Sequence, residues 1–174
     1  MPASQQEPVR NAAAARGRPT EVRISIGLAL GGGAALVALS ALVTLSVLLR
    51  WLGEGGIPGD FETVEMLTAL AAFAMLPLCQ QTRGNVIVDT LSRNWPPRAV
   101  RLVDALWDVL YAAVALIIAW GAWQGGRDAL ANGTATMVLG LPVGWAMIAA
   151  AGLAVWLAIG AVVSALRLVF EGRS

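Results

Sequence analysis

Apolar residues run along this chain in four long blocks, with charged positions confined to the stretches between them. Ile24 to Leu49, Met66 to Thr82, Val109 to Gly126 and Ala129 to Leu166 contain no charged residue. A helix needs roughly 20 apolar residues to cross about 30 Å of hydrocarbon. The last block is long enough for a loop followed by a span starting near Leu141. The pattern predicts an all-α integral membrane fold with four transmembrane helices. The spans fall at about 26–49, 63–82, 104–125 and 141–165, inside a membrane domain covering 24–170. Residues 1–23 are rich in Ala, Gln, Pro and Arg without apolar periodicity, and read as a disordered cytoplasmic tail.

Between helices 2 and 3 the pattern changes. At about 100° per residue, Ile87, Val88, Leu91 and Trp95 share one face, and Asp89, Ser92 and Arg93 take the other. Asp89 and Arg93 stand in the favourable acid-before-base i,i+4 order. A segment of this shape, about 84–95, cannot span a bilayer but can lie along one, so an interfacial amphipathic helix is expected there. Pro96 and Pro97 end it and open helix 3, since proline is tolerated in a first turn. In the first outer loop, Asp60 fits the N-cap of helix 2, and Glu62 lies in the first turn where the helix dipole favours an acid. The second outer loop, read as starting at Gly125-Gly126, runs to Pro142 at the start of helix 4.

Composition sharpens this picture. Charged residues make up 13% of the chain against 57% hydrophobic, about half the charge of a typical soluble domain. All twelve basic residues are arginines, and ten of them precede helix 1, lie between helices 2 and 3, or follow helix 4. Only Arg50 and Arg127 occupy the other two loops. The positive-inside rule then gives an N-in, C-in topology with the 2–3 arm on the cytoplasmic face. Trp51, Trp95, Trp107 and Trp145 fall near span boundaries, as an aromatic belt requires, whereas Trp120, Trp123 and Trp156 do not. A net charge of +1 gives nucleic acid no bulk electrostatic target.

Candidate chemistry is sparse. The absence of histidine removes bis-His haem ligation, His-based zinc sites and Ser-His nucleophile activation. The single Cys79 excludes an intrachain disulfide and reads as a small packing residue. No catalytic, cofactor-binding or metal site is expected, and the chain does not read as an enzyme. Asp104 and Asp108 stand one turn apart on helix 3. Val109 to Gly126 nearly spans the bilayer without them, at about 27 Å, so they fit interfacial or inter-subunit pairing better than ion handling. Glu65 is placed at the outer boundary as a helix-start acid, with a buried contact to a partner subunit as the alternative. Gly27, Gly31 and Ala35 on helix 1, and Gly140 with Gly144 on helix 4, form small-residue stripes that allow close helix approach. Pro77 is expected to shape the end of helix 2 locally.

Three segments together resemble the small membrane subunit of tripartite ATP-independent periplasmic (TRAP) transporters. They are IPGDFETVEML (57–67), LPLCQQTRGNVIVDTLSRNWPPR (76–98) and TMVLGLPVGW (136–145). Arg83, Gly84, Val88 and Asp89 carry the family pattern after helix 2, with Asn85 where the family usually has histidine. The resemblance covers about residues 24 to 170 and implies a multi-pass protein of the bacterial inner membrane. Its implied partners are a large permease subunit, which holds the substrate and sodium sites, and a periplasmic solute-binding protein. Such a subunit braces the scaffold of the large permease for sodium-coupled solute uptake. Candidate interface and structural residues are then Glu65, Arg83, Gly84, Asp89, Leu91, Trp95, Asp104, Asp108, Pro142 and Trp145. A rival reading is a self-sufficient four-helix exporter. Such exporters place an acid midway along helix 1, and Ile24 to Leu49 has none.

Overall fold

A computed structural model of the chain describes residues 20–53, 55–82 and 96–170. Four helices account for nearly all of them: α1 (Thr20–Trp51), α2 (Asp60–Gln81), α3 (Pro97–Ala131) and α4 (Val143–Phe170). All four are long and apolar enough to cross a membrane. The expected arm at about 84–95 falls almost wholly on residues 83–95, which lie outside the described residues, as do positions 1–19 of the expected tail.

Helices α1 and α3 overrun their expected spans at both ends, α2 at its start and α4 at its end, because hydropathy reports the hydrocarbon and not the helix. Helix α1 starts at Thr20, so residues 20–23 belong to it and not to the tail. Helix α3 starts at Pro97, as its two prolines predict, and then runs for 35 residues, about 52 Å at 1.5 Å per residue. It continues through Gly125, Gly126, Arg127 and Asp128, which the sequence pattern assigns to a loop. The correction has a packing cause. A Cβ on Gly144 would sit 2.5 Å from the Gly126 carbonyl oxygen, and one on Gly126 would sit 3.0 Å from that of Gly144. These glycines let α3 and α4 touch backbone to backbone. Gly125-Gly126 is therefore a crossing point and not a turn.

Two antiparallel hairpins, α1–α2 and α3–α4, build the bundle, and α2 against α4 joins them. Without a hydrophobic driving force between helices in lipid, small residues that permit close approach dominate such contacts. Along α3, the buried Ala105, Ala112, Ala115 and Ala119 recur at coiled-coil spacing. They meet Ala154, Leu157, Ala158, Ala161 and Ala165 of α4 on the same period. Ala112, Ala115, Leu157, Ala158 and Ala161 form the central cluster, flanked by Leu76 and Tyr111. On α1, the buried face holds Ser25, Gly32, Leu39 and Ser46, every seventh residue. Gly32 receives α2 closely: a Cβ there would lie 3.1 Å from the Ala71 carbonyl oxygen.

The expected stripes are therefore redistributed. Gly27 and Gly31 lie off this face of α1, with nothing among the described residues within 4 Å of where a Cβ would project. Gly140 is not on α4 at all; it sits in the preceding loop with φ +64°. Pro77 lies inside α2, four residues from its end, and is fully buried.

Candidate functional site

Polar side chains gather at the two ends of the bundle, and there they latch the hairpins together. At the end bearing the α1–α2 and α3–α4 loops, the α2 start is the hub. Gly59 occupies the N-cap position at φ +78°, a left-handed conformation that suits glycine. A Cβ at Gly59 would collide with the Leu139 side chain, so glycine also admits the α3–α4 loop. Asp60, expected at the N-cap, is instead the first residue of α2. Its Oδ1 accepts the Phe61 N–H at 2.8 Å, which still satisfies one orphan donor of the helix start. Its Oδ2 accepts the Ser46 hydroxyl at 2.6 Å and faces Arg50 at 3.4 Å. Ser46 in turn accepts the Ile57 N–H at 3.1 Å. One hydroxyl thus ties α1, its loop and α2.

Glu62 does more than complement the helix dipole. Its carboxylate accepts the N–H groups of Val138 at 2.7 Å and Leu139 at 2.9 Å. Two ionised-acceptor bonds, stronger than neutral ones, hold the 136–142 turn against α2. That turn is closed on itself: the Thr136 N–H donates to the Leu141 carbonyl at 2.9 Å, and Ala135 and Pro142 form an antiparallel bridge. Pro142 thus sits in this bridge just before α4, and α4 begins at Val143. Met137 and Val138 project from the turn fully or largely exposed. Trp145 on the first turn of α4 is also exposed.

At the opposite end, α1 meets α4 twice. Arg167 pairs with Glu21 at 3.1 Å, and the Trp156 indole N–H donates to Ser25 Oγ at 3.1 Å. Trp156, which no belt explains, is thus a strut between α4 and α1. Gln80, buried on α2, donates through Nε2 to Asp108 Oδ1 at 2.8 Å. Asp108 shares the α3 face of Ala105, Ala112 and Ala115, so it is half-buried by its own chain. This bond lies within the chain and is compatible with the expected interfacial position. Asp104 is also half-buried, and neither aspartate stands unpartnered. Glu65 is exposed on α2. Arg83, Gly84, Asp89, Leu91 and Trp95 lie outside the described residues.

Among the described residues, no group of three or more His, Cys, Asp or Glu is placed to hold a metal ion. The polar residues missed by sequence reasoning are Ser25, Ser46, Gln80 and Trp156. Ser25 and Ser46 were legible only through the seven-residue period they share with Gly32 and Leu39. What the molecule offers instead is uncovered apolar surface. Large side chains such as Leu30 and Val37 on α1, and Leu106, Trp107, Ile117 and Trp120 on α3, are exposed.

The sequence model of the family described as "Tripartite ATP-independent periplasmic transporters, DctQ component" matches residues 39–171. No curated protein and no solved structure matches the chain.

Proposed function

The chain belongs to the DctQ family of small membrane components of TRAP transporters, and from that premise we propose that it braces the large permease during sodium-coupled solute uptake. The family is a transporter component and not an enzyme. A tripartite system implies two partners, a large membrane subunit and a periplasmic binding protein. In this reading both termini and the 84–95 arm face the cytoplasm, where ten of the twelve arginines lie. The loop end, with its latched 136–142 turn, then faces the periplasm and the binding protein.

One observation carries the bracing role. Gly27 and Gly31 open a small-residue face on α1 that nothing among the described residues fills, while Gly32 beside them does the packing on α2. Ala34, Ala38 and Ala41 continue that uncovered face toward the loop end. Such a face lets a foreign helix approach closely and gains little from lipid tails alone. Among the described residues most side-chain polar contacts lie towards the bundle ends, and the Trp156–Ser25 bond from midway along α4 and the Thr44 bond to the Ser40 carbonyl are isolated and form no row through mid-membrane. This supports a scaffold and offers no substrate path.

The test is co-purification with the cognate large permease. Gly27→Leu and Gly31→Leu are expected to leave the isolated chain folded and to lower the yield of the complex. Undiminished complex in both variants would remove α1 as the bracing face.

A further inference from the structure

We propose that the cleft among the start of α1 and the ends of α2 and α4 binds the headgroup of a phospholipid carrying a primary ammonium, that is, phosphatidylethanolamine. The proposal rests on the reading that these helices span the membrane with this end at the cytoplasmic face. The cleft has a volume of about 210 Å³ and is lined by Glu21, Gln81, Ser164 and Arg167, with Val163 and Leu168 completing the apolar wall. Gly160 supplies its floor. A Cβ there would come within 2.9 Å of Gln81 Nε2.

The wall carries one charge of each sign, already paired at 3.1 Å yet 45% and 39% exposed at the side chains. Arg167 spends a single Nη on Glu21, and a guanidinium has five N–H donors in a planar fork suited to phosphate. Glu21 likewise has acceptor capacity beyond one guanidinium nitrogen. Gln81 Oε1 is buried and accepts no hydrogen bond from the described residues, whereas buried polar atoms in native proteins nearly always have a partner. The cleft therefore presents a cation and a hydroxyl to an anion and a carboxylate to an N–H donor, with the unmet Gln81 amide oxygen closed off just behind this lining.

A phosphoethanolamine group has both halves. Its phosphate meets Arg167 and Ser164, and its ammonium donates to Glu21 and, once the Gln81 amide turns towards the cleft, to Gln81 Oε1. Its acyl chains leave along Val163 and Leu168 into the bilayer. Phosphatidylcholine has no N–H to donate to Gln81, and phosphatidylglycerol brings no cation to Glu21. Arg167 lies in the last turn of α4 and Glu21 in the first turn of α1, the depth at which headgroups sit.

The test is native mass spectrometry on the full chain, purified and delipidated in detergent, then offered phosphatidylethanolamine, phosphatidylcholine and phosphatidylglycerol at equal concentration. Phosphatidylethanolamine is expected to be retained about tenfold more than either, the scale of one charge-assisted contact. Gln81→Leu, Arg167→Met and the cleft-filling Gly160→Val are each expected to remove that preference while the chain stays helical. Equal retention of the three lipids by the unaltered chain would overturn the proposal. So would displacement of the lipid by millimolar soluble phosphoethanolamine, which would indicate a small solute in place of a lipid. Equal retention of the three lipids by the unaltered chain, with undiminished co-purification of the large permease, would overturn this site alone and leave the bracing role standing.

Discussion

Helices α1 and α4 are nearly equal in hydropathy, yet they stand in different surroundings. In the most apolar stretch of α4, 33% of residues are buried inside the chain; in that of α1, 17% are. Helix α4 is held by α3, by α2 and by struts to α1, and alanines at coiled-coil spacing line its contact with α3. Helix α1 rests mainly on α2 along a single stripe. Apolarity therefore tells that a helix spans, while the placement of small residues tells what it touches. The α4 stripe is satisfied within the chain. The Gly27–Gly31 side of α1 is left open by the described residues.

Substitutions at matched small positions break this contrast most sharply. Ala161 on α4 has no exposed surface, and overpacking such a site costs about 1–3 kcal/mol. Ala161→Leu is expected to lower the thermal stability of the isolated chain in detergent most of all. Gly31→Leu meets open space and gains helix propensity of roughly 1 kcal/mol. Its isolated chain should melt no lower than the parent, and its defect should appear only as reduced complex with the large permease. If Gly31→Leu destabilised the isolated chain as much as Ala161→Leu, the two helices would not differ as described.

Smaller effects probe the parts beside these helices. Trp95→Asp or Leu91→Asp in the expected arm should weaken membrane docking and complex yield, read by co-purification and uptake. Unchanged values in both variants would count against an interfacial arm. Glu62→Gln exchanges an ionised acceptor for a neutral one against Val138 and Leu139. Faster amide exchange at those two residues is the expected outcome, with melting affected less than by Ala161→Leu. Arg50→Ala comes last. Its pair with Asp60 is exposed on the arginine side, and such pairs often contribute nothing measurable.

The four spans were legible because uncharged runs and membrane thickness are local properties. Pro97 and the α2 start were legible for a similar reason, through proline and turn chemistry. Which face packs within the chain was not legible, because sequence alone does not choose between adjacent faces. Gly31 and Gly32 differ by one residue, about 100° around the helix, and one faces outward while the other packs on α2. Gly125-Gly126 looked like a turn because a backbone crossing uses the same residues as a loop does. The latches were least legible. Glu62 finds its partners 76 and 77 residues away, and Glu21 finds Arg167 at a separation of 146. No periodicity encodes such pairings; they follow from which hairpins pack.

The central claim is that this chain braces a transporter without being one. Reconstitution into sodium-loaded and sodium-free liposomes tests it directly, using the chain alone, the large permease with its binding protein, and all three together. Sodium-driven uptake by the three-component system, with none by the chain alone, is the predicted result. Uptake by this chain alone would contradict the account.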